Sequence, residues 1–323
     1  VMEVAGQFDQ LLADPVTMTI WHTVFMCIAL LIVGRGLRRG IERVVKLLMP
    51  ALFAMLVVMI GYAAVAGDFG AGLSFLFSFD FSKITGATVL NAIGQAFFSI
   101  SVAMGLMMVY GAYVPKEVSL TRSAVIIAGA DTLIALLAGL MIFPLVFANG
   151  LDPAEGPGLI FKTLPTAFVN MPGGAVFGAL FFLLLAFAAV TSIIAIIEPI
   201  VAYAEDRWHM SRKLGCAVFG ALGWGLGVLS VLSFNRWQDV HLLGMFDVFA
   251  GKTIFDLVDY FTANIMMPVG AILIALFVGW RMKPEMPEGD LSFYHPLLYK
   301  LWLWTVRVIA PVAILGILVS GLS

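Results

Sequence analysis

Long apolar stretches, each about the length of a membrane-spanning helix, recur along the chain and are separated by short polar segments. Eight of them are predicted to span a membrane, at about 17–36, 41–66, 88–113, 120–148, 174–205, 211–233, 253–281 and 296–321. A helix of about 20 apolar residues is long enough to cross the hydrocarbon core of a bilayer. The pattern therefore predicts an all-α integral membrane protein with about eight transmembrane helices.

The third stretch differs from the others because small and polar residues occupy its centre. Within Asn91–Tyr113, Ser99, Ser101 and Gly105 lie in the middle of the expected span. Hydroxyls compete for backbone hydrogen bonds, and a helix break at this depth survives only inside protein or beside a watery cavity. Such a break would expose half-helix ends that can hold a cation or a carboxylate. Close packing through small residues is the alternative, and the serines alone favour neither.

Composition and charge exclude several functional classes. The 323 residues are 62% hydrophobic and 12% charged, with a net charge of −2. The sequence has no basic patch for nucleic acid, no complete phosphate-binding loop and no metal-ligand spacing of histidines, so no enzyme is predicted. Cys27 and Cys216 lie in apolar stretches and imply no disulfide framework. The chain starts with Val-Met and has no signal peptide, which is the pattern expected of a fragment.

Lysine and arginine are distributed unequally between the two sets of loops. One set, with the adjoining helix ends, carries Arg35, Arg38, Arg39, Arg43, Lys46, Lys116, Arg122, Arg207, Arg212, Lys213, Arg281, Lys283 and Lys300. The opposite set carries only Lys83, Lys162, Arg236 and Lys252. Because positively charged loops stay in the cytoplasm, Val1 is predicted to lie outside. We expect a multi-pass protein of the inner (plasma) membrane, in contact with membrane lipid.

Two spans contain oxygen-bearing residues that could bind a cation. Asp131 lies well inside the fourth stretch, and an acid at membrane depth is costly enough to favour a role as a cation ligand or proton carrier. In the fifth stretch, Ala188 precedes Thr191 and Ser192 by one helical turn, so a carbonyl and two hydroxyls could offer hard oxygen ligands. Such hydroxyls more often bond their own helix, and the pattern alone is a weak signal for a site.

Three further segments have structural interpretations. Gly40 and Pro50 either allow the start of the second stretch to unwind or form an ordinary kinked helix. Residues 149–173, the longest outside loop, predict a folded cap on the outer face. A row of glycines in the sixth stretch predicts close helix packing: Gly220, Gly223 and Gly227.

Together these segments resemble the neurotransmitter:sodium symporter family, especially its bacterial amino-acid transporters. The resemblance is carried, in chain order, by GIERVVKLLMP, GQAFFSISVAMG, GLIFKTLP, TSIIAIIEPIVAYAED and FDLVDYF. It implies the LeuT-type fold, which is built from inverted repeats and contains broken helices. By that resemblance, residues 1–323 form a single transmembrane domain that lacks the first three family helices, and about 88–281 is the complete second repeat.

The resemblance also implies the residues of a transport site. Substrate-pocket positions are Phe98, Ser99, Ser101, Met104, Ser192 and Ile196. A first sodium ion would be bound by Ser99 and Asp131, and a second by Ala188, Thr191 and Ser192. Gating positions are Phe98 and Asp259 outside, Tyr113 and Asp206 inside, and Gly40 and Pro50 in the segment that unwinds on inward release. Met104 departs from the aromatic residue that family pockets commonly have.

The implied function is sodium-coupled import of a small neutral, hydrophobic amino acid by alternating access, with sodium ions as the cofactor. A membrane scaffold without transport activity, or a degenerate transporter remnant, is the alternative. Because three helices are expected to be missing, neither sodium site should be complete within these residues. Chloride-dependent relatives carry a neutral Asn where this chain has Asp131, so chloride should not be required. The oligomeric state is not predicted.

Overall fold

A computed structural model describes residues 2–115, 117–151, 153, 156–282 and 296–322. Within these residues the chain is almost entirely helical and contains no strand. Seven of the described helices are long and apolar enough to cross a membrane: Pro15–Gly34, Leu37–Ala66, Leu120–Ala148, Gly174–Trp208, Arg212–Ser233, Ile254–Arg281 and Pro296–Gly321. They correspond to seven of the eight predicted stretches and confirm the all-α membrane class. Lys116 and Lys283, predicted to be cytoplasmic, lie outside the described residues.

The helices are numbered in chain order. α1 to α7 are Met2–Ala13, Pro15–Gly34, Glu42–Ala66, Phe69–Phe77, Gly86–Ser99, Leu106–Ala112 and Leu120–Ala148. α8 to α14 are Leu164–Val169, Gly174–Trp208, Arg212–Ser233, Ile254–Tyr260, Met267–Leu276, Pro296–Trp304 and Ala310–Leu322. π-helical turns lie at Leu37–Ile41, Leu159–Thr163, Phe261–Met266, Phe277–Arg281 and Thr305–Ile309. Short 3-10 turns lie at Phe81–Lys83, Val102–Met104 and Asp247–Phe249.

Polar caps define where two of these helices begin. Asp14 accepts hydrogen bonds from the amides of Val16 (3.0 Å) and Thr17 (3.2 Å), and Pro15 occupies a position where no amide donor is needed. The hydrogen bonds from the Thr17 hydroxyl and amide hold the pKa of Asp14 below its usual value. At the start of α5, Thr85 and Thr88 form a reciprocal capping box.

The chain divides into two compact units. Unit 1 comprises Val1–Phe79 and Ala135–Phe255, and unit 2 comprises Asp80–Ile134 and Asp256–Ser323. Unit 1 contains two buried apolar clusters, one centred on Met59, Leu145 and Phe181 and the other on Val33, Ile194 and Val201. Unit 2 contains a smaller cluster of Ala103, Ala271 and Ile314.

The glycine row of α10 packs closely against α2, as predicted. A Cβ at Gly220 would overlap the Leu30 side chain, and one at Gly227 would overlap the His22 ring. A Cβ at Gly223 would lie 3.6 Å from the Met26 side chain, in ordinary contact. Small residues at these positions therefore let the two helices approach each other.

The loop at 149–173, which is predicted to lie outside, contains the predicted folded cap within its described residues. The π-helical turn Leu159–Thr163 runs into α8, whose Leu164 and Phe168 are buried. The Tyr62 hydroxyl donates to the Pro172 carbonyl at 3.0 Å, and its ring stacks on Phe177 at 3.7 Å. These contacts fix the cap on unit 1.

The short helix α1, which is not among the elements predicted from the sequence, contacts the same cap. Lys162 forms an ion pair with Asp9 at 2.8 Å, and Phe8 stacks on Phe161 with 4.9 Å between ring centroids. The apolar pattern of α1 is too short for a membrane span, so a search for spans does not reveal it.

Candidate ion and substrate site

Of the two alternatives for the third stretch, the structure has the break, which lies in unit 2. α5 ends at Ser99 and α6 begins at Leu106. Between them, Ser101 has a φ of 57° and Gly105 a φ of 71°. Left-handed backbone interrupts an α-helix, and Gly105 adopts it without the steric cost that a side chain would add. This stretch is therefore two half-helices and not one continuous packed span.

At the break, Ser99 contacts Asp131 of α7, also within unit 2. The Ser99 hydroxyl donates to Oδ1 of Asp131 at 2.6 Å. Asp131 lies 11 residues into α7, counted from Leu120, which places it about 17 Å along the helix axis and near the middle of a bilayer core. The C-terminal end of α5 adds partial negative charge from its carbonyl groups. A hydroxyl, a carboxylate and a helix C-terminus together favour a small cation.

A cavity of about 450 Å³ lies within unit 2, beside α5. Its lining is mainly apolar, with Phe98, Met267 and Ile314 among the apolar side chains, and includes three amide side chains: Asn91, Gln95 and Asn264. Of the predicted substrate-pocket residues, only Phe98 is part of the lining. The other predicted pocket residues of unit 2 lie in the break: Ser99, Ser101 and Met104.

The second predicted set of sodium ligands lies on one continuous helix, α9, in unit 1. The Thr191 hydroxyl donates to the carbonyls of Ala188 (2.9 Å) and Phe187 (3.1 Å). The hydroxyl thus bonds its own helix, which is the more common arrangement of such residues. Two predicted ligand oxygens are nevertheless adjacent, and Ser192 follows on an exposed face. A cation could bind both only if the Thr191 hydroxyl turned its proton away from the Ala188 carbonyl.

The predicted gating and remaining pocket residues lie on separate elements. In unit 2, Tyr113 caps the C-terminus of α6 and lies edge-on to Tyr110 at 6.4 Å, and Asp259 is exposed on α11. In unit 1, Ile196 and Asp206 are exposed positions of α9. The gating role of Tyr113, Asp259 and Asp206 and the pocket role of Ile196 therefore stay predictions.

The segment between Gly40 and Pro50 is helical. The π-helical turn Leu37–Ile41 leads directly into α3, which continues through Pro50. Gly40 is buried, and a Cβ there would overlap the backbone carbonyl of Ile32. Close backbone approach thus explains the glycine in this structure, and its unwinding stays a prediction.

Unit 1 also contains a charged cluster that is not among the residues predicted from the sequence. Arg212, at the start of α10, forms ion pairs with Glu198 and Glu205 of α9, the latter at 2.8 Å. It also donates to the Val33 carbonyl at the end of α2, at 2.8 Å. Glu198 is only 1% exposed, and a buried carboxylate is tolerated when it is paired and hydrogen-bonded. An acid beside Pro199 in an apolar span, followed by a basic start to the next helix, is the signal that could have indicated the cluster.

A helical membrane protein with a spanning helix broken at mid-depth beside a carboxylate has the architecture of a secondary transporter. The model of the sodium:neurotransmitter symporter family matches residues 7–323, and the chain belongs to this family. This confirms the predicted family and sodium as its coupling ion, and it places the chain among transporters and not among enzymes.

The similarity extends over nearly the whole chain. An uncharacterized sodium-dependent transporter of Bacillus subtilis, YhdH, is 35% identical over 313 residues, which cover 95% of this chain and 67% of that protein. An uncharacterized sodium-dependent transporter of Haemophilus influenzae is also 35% identical, with 96% and 66% covered. The crystal structure of MhsT in complex with L-phenylalanine has 38% sequence identity and a TM-score of 0.85, covering 98% of this chain and 70% of MhsT.

The structural match confirms the predicted LeuT-type fold. Family membership and the seven membrane-length helices of the described residues agree with the predicted multi-pass plasma-membrane location. The chain spans about two thirds of the length of the curated relatives that it matches.

Proposed function

We propose that the protein imports a small neutral, hydrophobic amino acid together with sodium ions by alternating access. The observation that carries the proposal is the 2.6 Å hydrogen bond between Ser99 and Asp131, located where a spanning helix is broken. Both side chains offer hard oxygen ligands, and the carboxylate supplies the negative charge that a cation requires. The likeness to MhsT, solved with L-phenylalanine bound, supports the substrate class.

In this proposal the first sodium ion binds Ser99 and Asp131. A second binds the carbonyl of Ala188 and the hydroxyls of Thr191 and Ser192, after Thr191 gives up its bond to the helix backbone. Sodium at Asp131 neutralises a carboxylate that is expensive to hold at membrane depth. The loaded state is thereby stabilised relative to the empty one, which couples the ion to the transport cycle.

The proposed substrate-binding positions are considered in each unit by itself. They are Phe98, Ser101 and Met104 at the break in unit 2, and Ser192 and Ile196 of α9 in unit 1. These side chains are apolar apart from hydroxyls, which suits a neutral substrate. Met104 is unbranched and flexible, so it can adapt to side chains of different shape. Phe98 and Asp259 are the proposed outer gating positions, and Tyr113 and Asp206 are inner gating positions on their separate units. Unwinding between Gly40 and Pro50 would open the inner side for release.

The test is uptake by the full-length protein in proteoliposomes. Radiolabelled L-phenylalanine and L-leucine should accumulate saturably under an inward sodium gradient and not when potassium replaces sodium. L-glutamate and L-lysine are the matched charged substrates and should not accumulate. Folded, correctly inserted protein that takes up neither hydrophobic amino acid under the gradient would contradict the proposal.

A further inference from the structure

A charged residue of unit 2, Arg307, lies inside the last membrane-spanning helix and has no role in the proposed transport site. It is 11 residues beyond Pro296 and 14 before Gly321, the ends of this span. Charged side chains within a span are costly and mark a functional or anchoring role. A side chain of this length can reach the nearer interface and keep its charge there.

The contacts of Arg307 show which way its side chain extends. Its Nε donates to the carbonyl of Gly279 at 2.5 Å, and the guanidinium carbon lies 5.3 Å from the centre of the Trp280 ring. Gly279 and Trp280 belong to the π-helical turn Phe277–Arg281, at the end of the preceding span. In a helix the side chains incline towards the N-terminus, which here is the end that carries Lys300 and is predicted to be cytoplasmic.

The helix crossing is built to admit this side chain. A Cβ at Gly279 would lie 2.9 Å from Cγ of Arg307, so the glycine leaves room for the arginine stem. Trp280 is 65% exposed, and Trp302 and Trp304 lie on α13, just before Arg307 in the same span. Tryptophans concentrate at the headgroup level of a bilayer, which fixes the depth of the guanidinium at the cytoplasmic interface.

Among the described residues, three basic side chains belong to the helix segments that form this crossing. Arg281 ends the π-helical turn, and Lys300 precedes Arg307 by seven residues, about two helical turns, on the same side of the helix. None of the ion pairs recorded among the described residues involves any of the three. The bond to Gly279 uses one of the five N–H donors of the guanidinium, and the remaining donors suit bidentate binding of a phosphate.

We propose that this crossing is a binding site for the headgroup of an anionic phospholipid of the cytoplasmic leaflet. Arg307 binds the lipid phosphate, Trp280 covers one face of the guanidinium, and Arg281 and Lys300 attract the headgroup from the rim. The location favours a lipid over a soluble anion, because the guanidinium lies beside the exposed Trp280 at the expected depth of the headgroups. Anionic lipids of this leaflet bind basic groups between membrane helices by the same charge attraction.

The experiment is a lipid titration of the purified full-length protein in detergent, followed by native mass spectrometry. Phosphatidylglycerol and phosphatidylcholine with identical acyl chains are the probes. The parent should prefer phosphatidylglycerol, and R307Q should weaken that binding about fivefold or more, as expected for one basic group near an anionic headgroup. R307K keeps the charge and should lose less. The matched control is R38Q, which removes another arginine predicted to be cytoplasmic, from the π-helical turn in unit 1, and should change the affinity little.

Three outcomes would overturn the proposal. In the first, the parent and R307Q bind phosphatidylglycerol with equal affinity. In the second, the parent does not prefer phosphatidylglycerol to phosphatidylcholine. In the third, excess inorganic phosphate displaces the lipid. If R307Q does not fold, G279A decides in its place, because a Cβ there displaces Arg307 while keeping every charge. It should weaken phosphatidylglycerol binding several-fold, and an unchanged affinity would overturn the proposal as well.

Discussion

Glu198 of unit 1 and Asp131 of unit 2 are both carboxylates within membrane-spanning helices, and their surroundings are opposite. Glu198 of unit 1 is 1% exposed and is paired with Arg212, which also binds Glu205. Asp131 of unit 2 is half-buried and accepts a hydrogen bond from the neutral hydroxyl of Ser99. None of the ion pairs among the described residues includes Asp131.

This difference separates a structural charge from one that can bind an ion. At Glu198 the compensating cation is Arg212, which is part of the protein. Its contacts link α10 to α9 and α2, and the carboxylate needs no further cation. At Asp131 the compensating cation has to come from outside. A carboxylate held this way must stay partly accessible, because burying it without a partner would cost several kcal/mol (about 3–5).

The largest effect is expected from removing the built-in cation. Arg212→Met leaves Glu198 buried and uncompensated and should lower the free energy of unfolding by about 3–5 kcal/mol. Thermal melting of the purified variant in detergent, beside the parent, measures the loss.

An exposed ion pair serves as the control for this variant. Lys46 and Glu42 are 2.6 Å apart, but their side chains are 74% and 47% exposed. Such pairs are screened by water, so Lys46→Met should leave the melting temperature almost unchanged. If both variants melted alike, the burial of Glu198 would not be what makes its partner necessary.

The next effect concerns the cation at Asp131. Asp131→Asn replaces a full negative charge at the proposed ion by a dipole, which should raise the sodium concentration for half-maximal uptake about tenfold. Stability should change little, since no recorded ion pair is broken. Ser99→Ala keeps the charge and removes one ligand, so its shift should be smaller. A sodium titration of uptake that Asp131→Asn leaves unaltered would remove Asp131 from the site.

Chloride provides an independent test of the same carboxylate. Since Asp131 itself supplies negative charge beside the proposed sodium ion, uptake by the parent should be the same when gluconate replaces chloride. In Asp131→Asn that charge is absent, and added chloride should restore part of the activity. Parent uptake that collapses without chloride would defeat this prediction.

A smaller effect is expected at the hydroxyl pair of α9. Replacing Thr191 and Ser192 together by Ala should weaken the sodium response a few-fold, in the range expected for hydrogen-bonding or ligand groups of this kind. Folding should be preserved, because the Thr191 hydroxyl only bonds backbone of its own helix. Thr19→Ala removes a similar bond, to Pro15 at 2.7 Å, and is the matched control. An unchanged sodium titration in the double variant would rule out the second site.

The residues that could be predicted from sequence are those whose signal is local. The span at 120–148 was predicted with the bounds that the structure has, because apolar length alone defines it. The serines and Gly105 left a break and a packed span as equal alternatives, because their backbone preferences act only within a few residues. The resemblance to the family, which has broken helices, favoured the break. The glycine row of α10 was interpretable for the same reason, since small side chains permit close helix approach wherever they occur.

Partners that come together only in three dimensions were not predictable. Arg212 reaches Val33 across 179 positions of sequence, and Arg307 reaches Gly279 across 28. No periodicity encodes such pairs, because they depend on which helices pack together. The sequence allowed the Thr191 hydroxyl either to bind an ion or to bond its own helix backbone. Only the side-chain rotamer shows that it bonds the backbone in this structure.

The smallest effect tests the helix break, which distinguishes the surroundings of Asp131 from those of a carboxylate packed between continuous helices. At Gly105 a Cβ would meet nothing within 4 Å, so only its φ of 71° opposes a side chain. Left-handed backbone costs a residue with a Cβ about 1–2 kcal/mol, and Gly105→Ala should lower stability by about 1 kcal/mol. Gly111→Ala lies in α6, in equally open space but with ordinary helical backbone, and should stabilise slightly. Because the break positions Ser99 beside Asp131, the sodium response should weaken in Gly105→Ala and persist in Gly111→Ala. A Gly105→Ala variant that melts with the parent and keeps its sodium response would show that the ion site does not depend on the break.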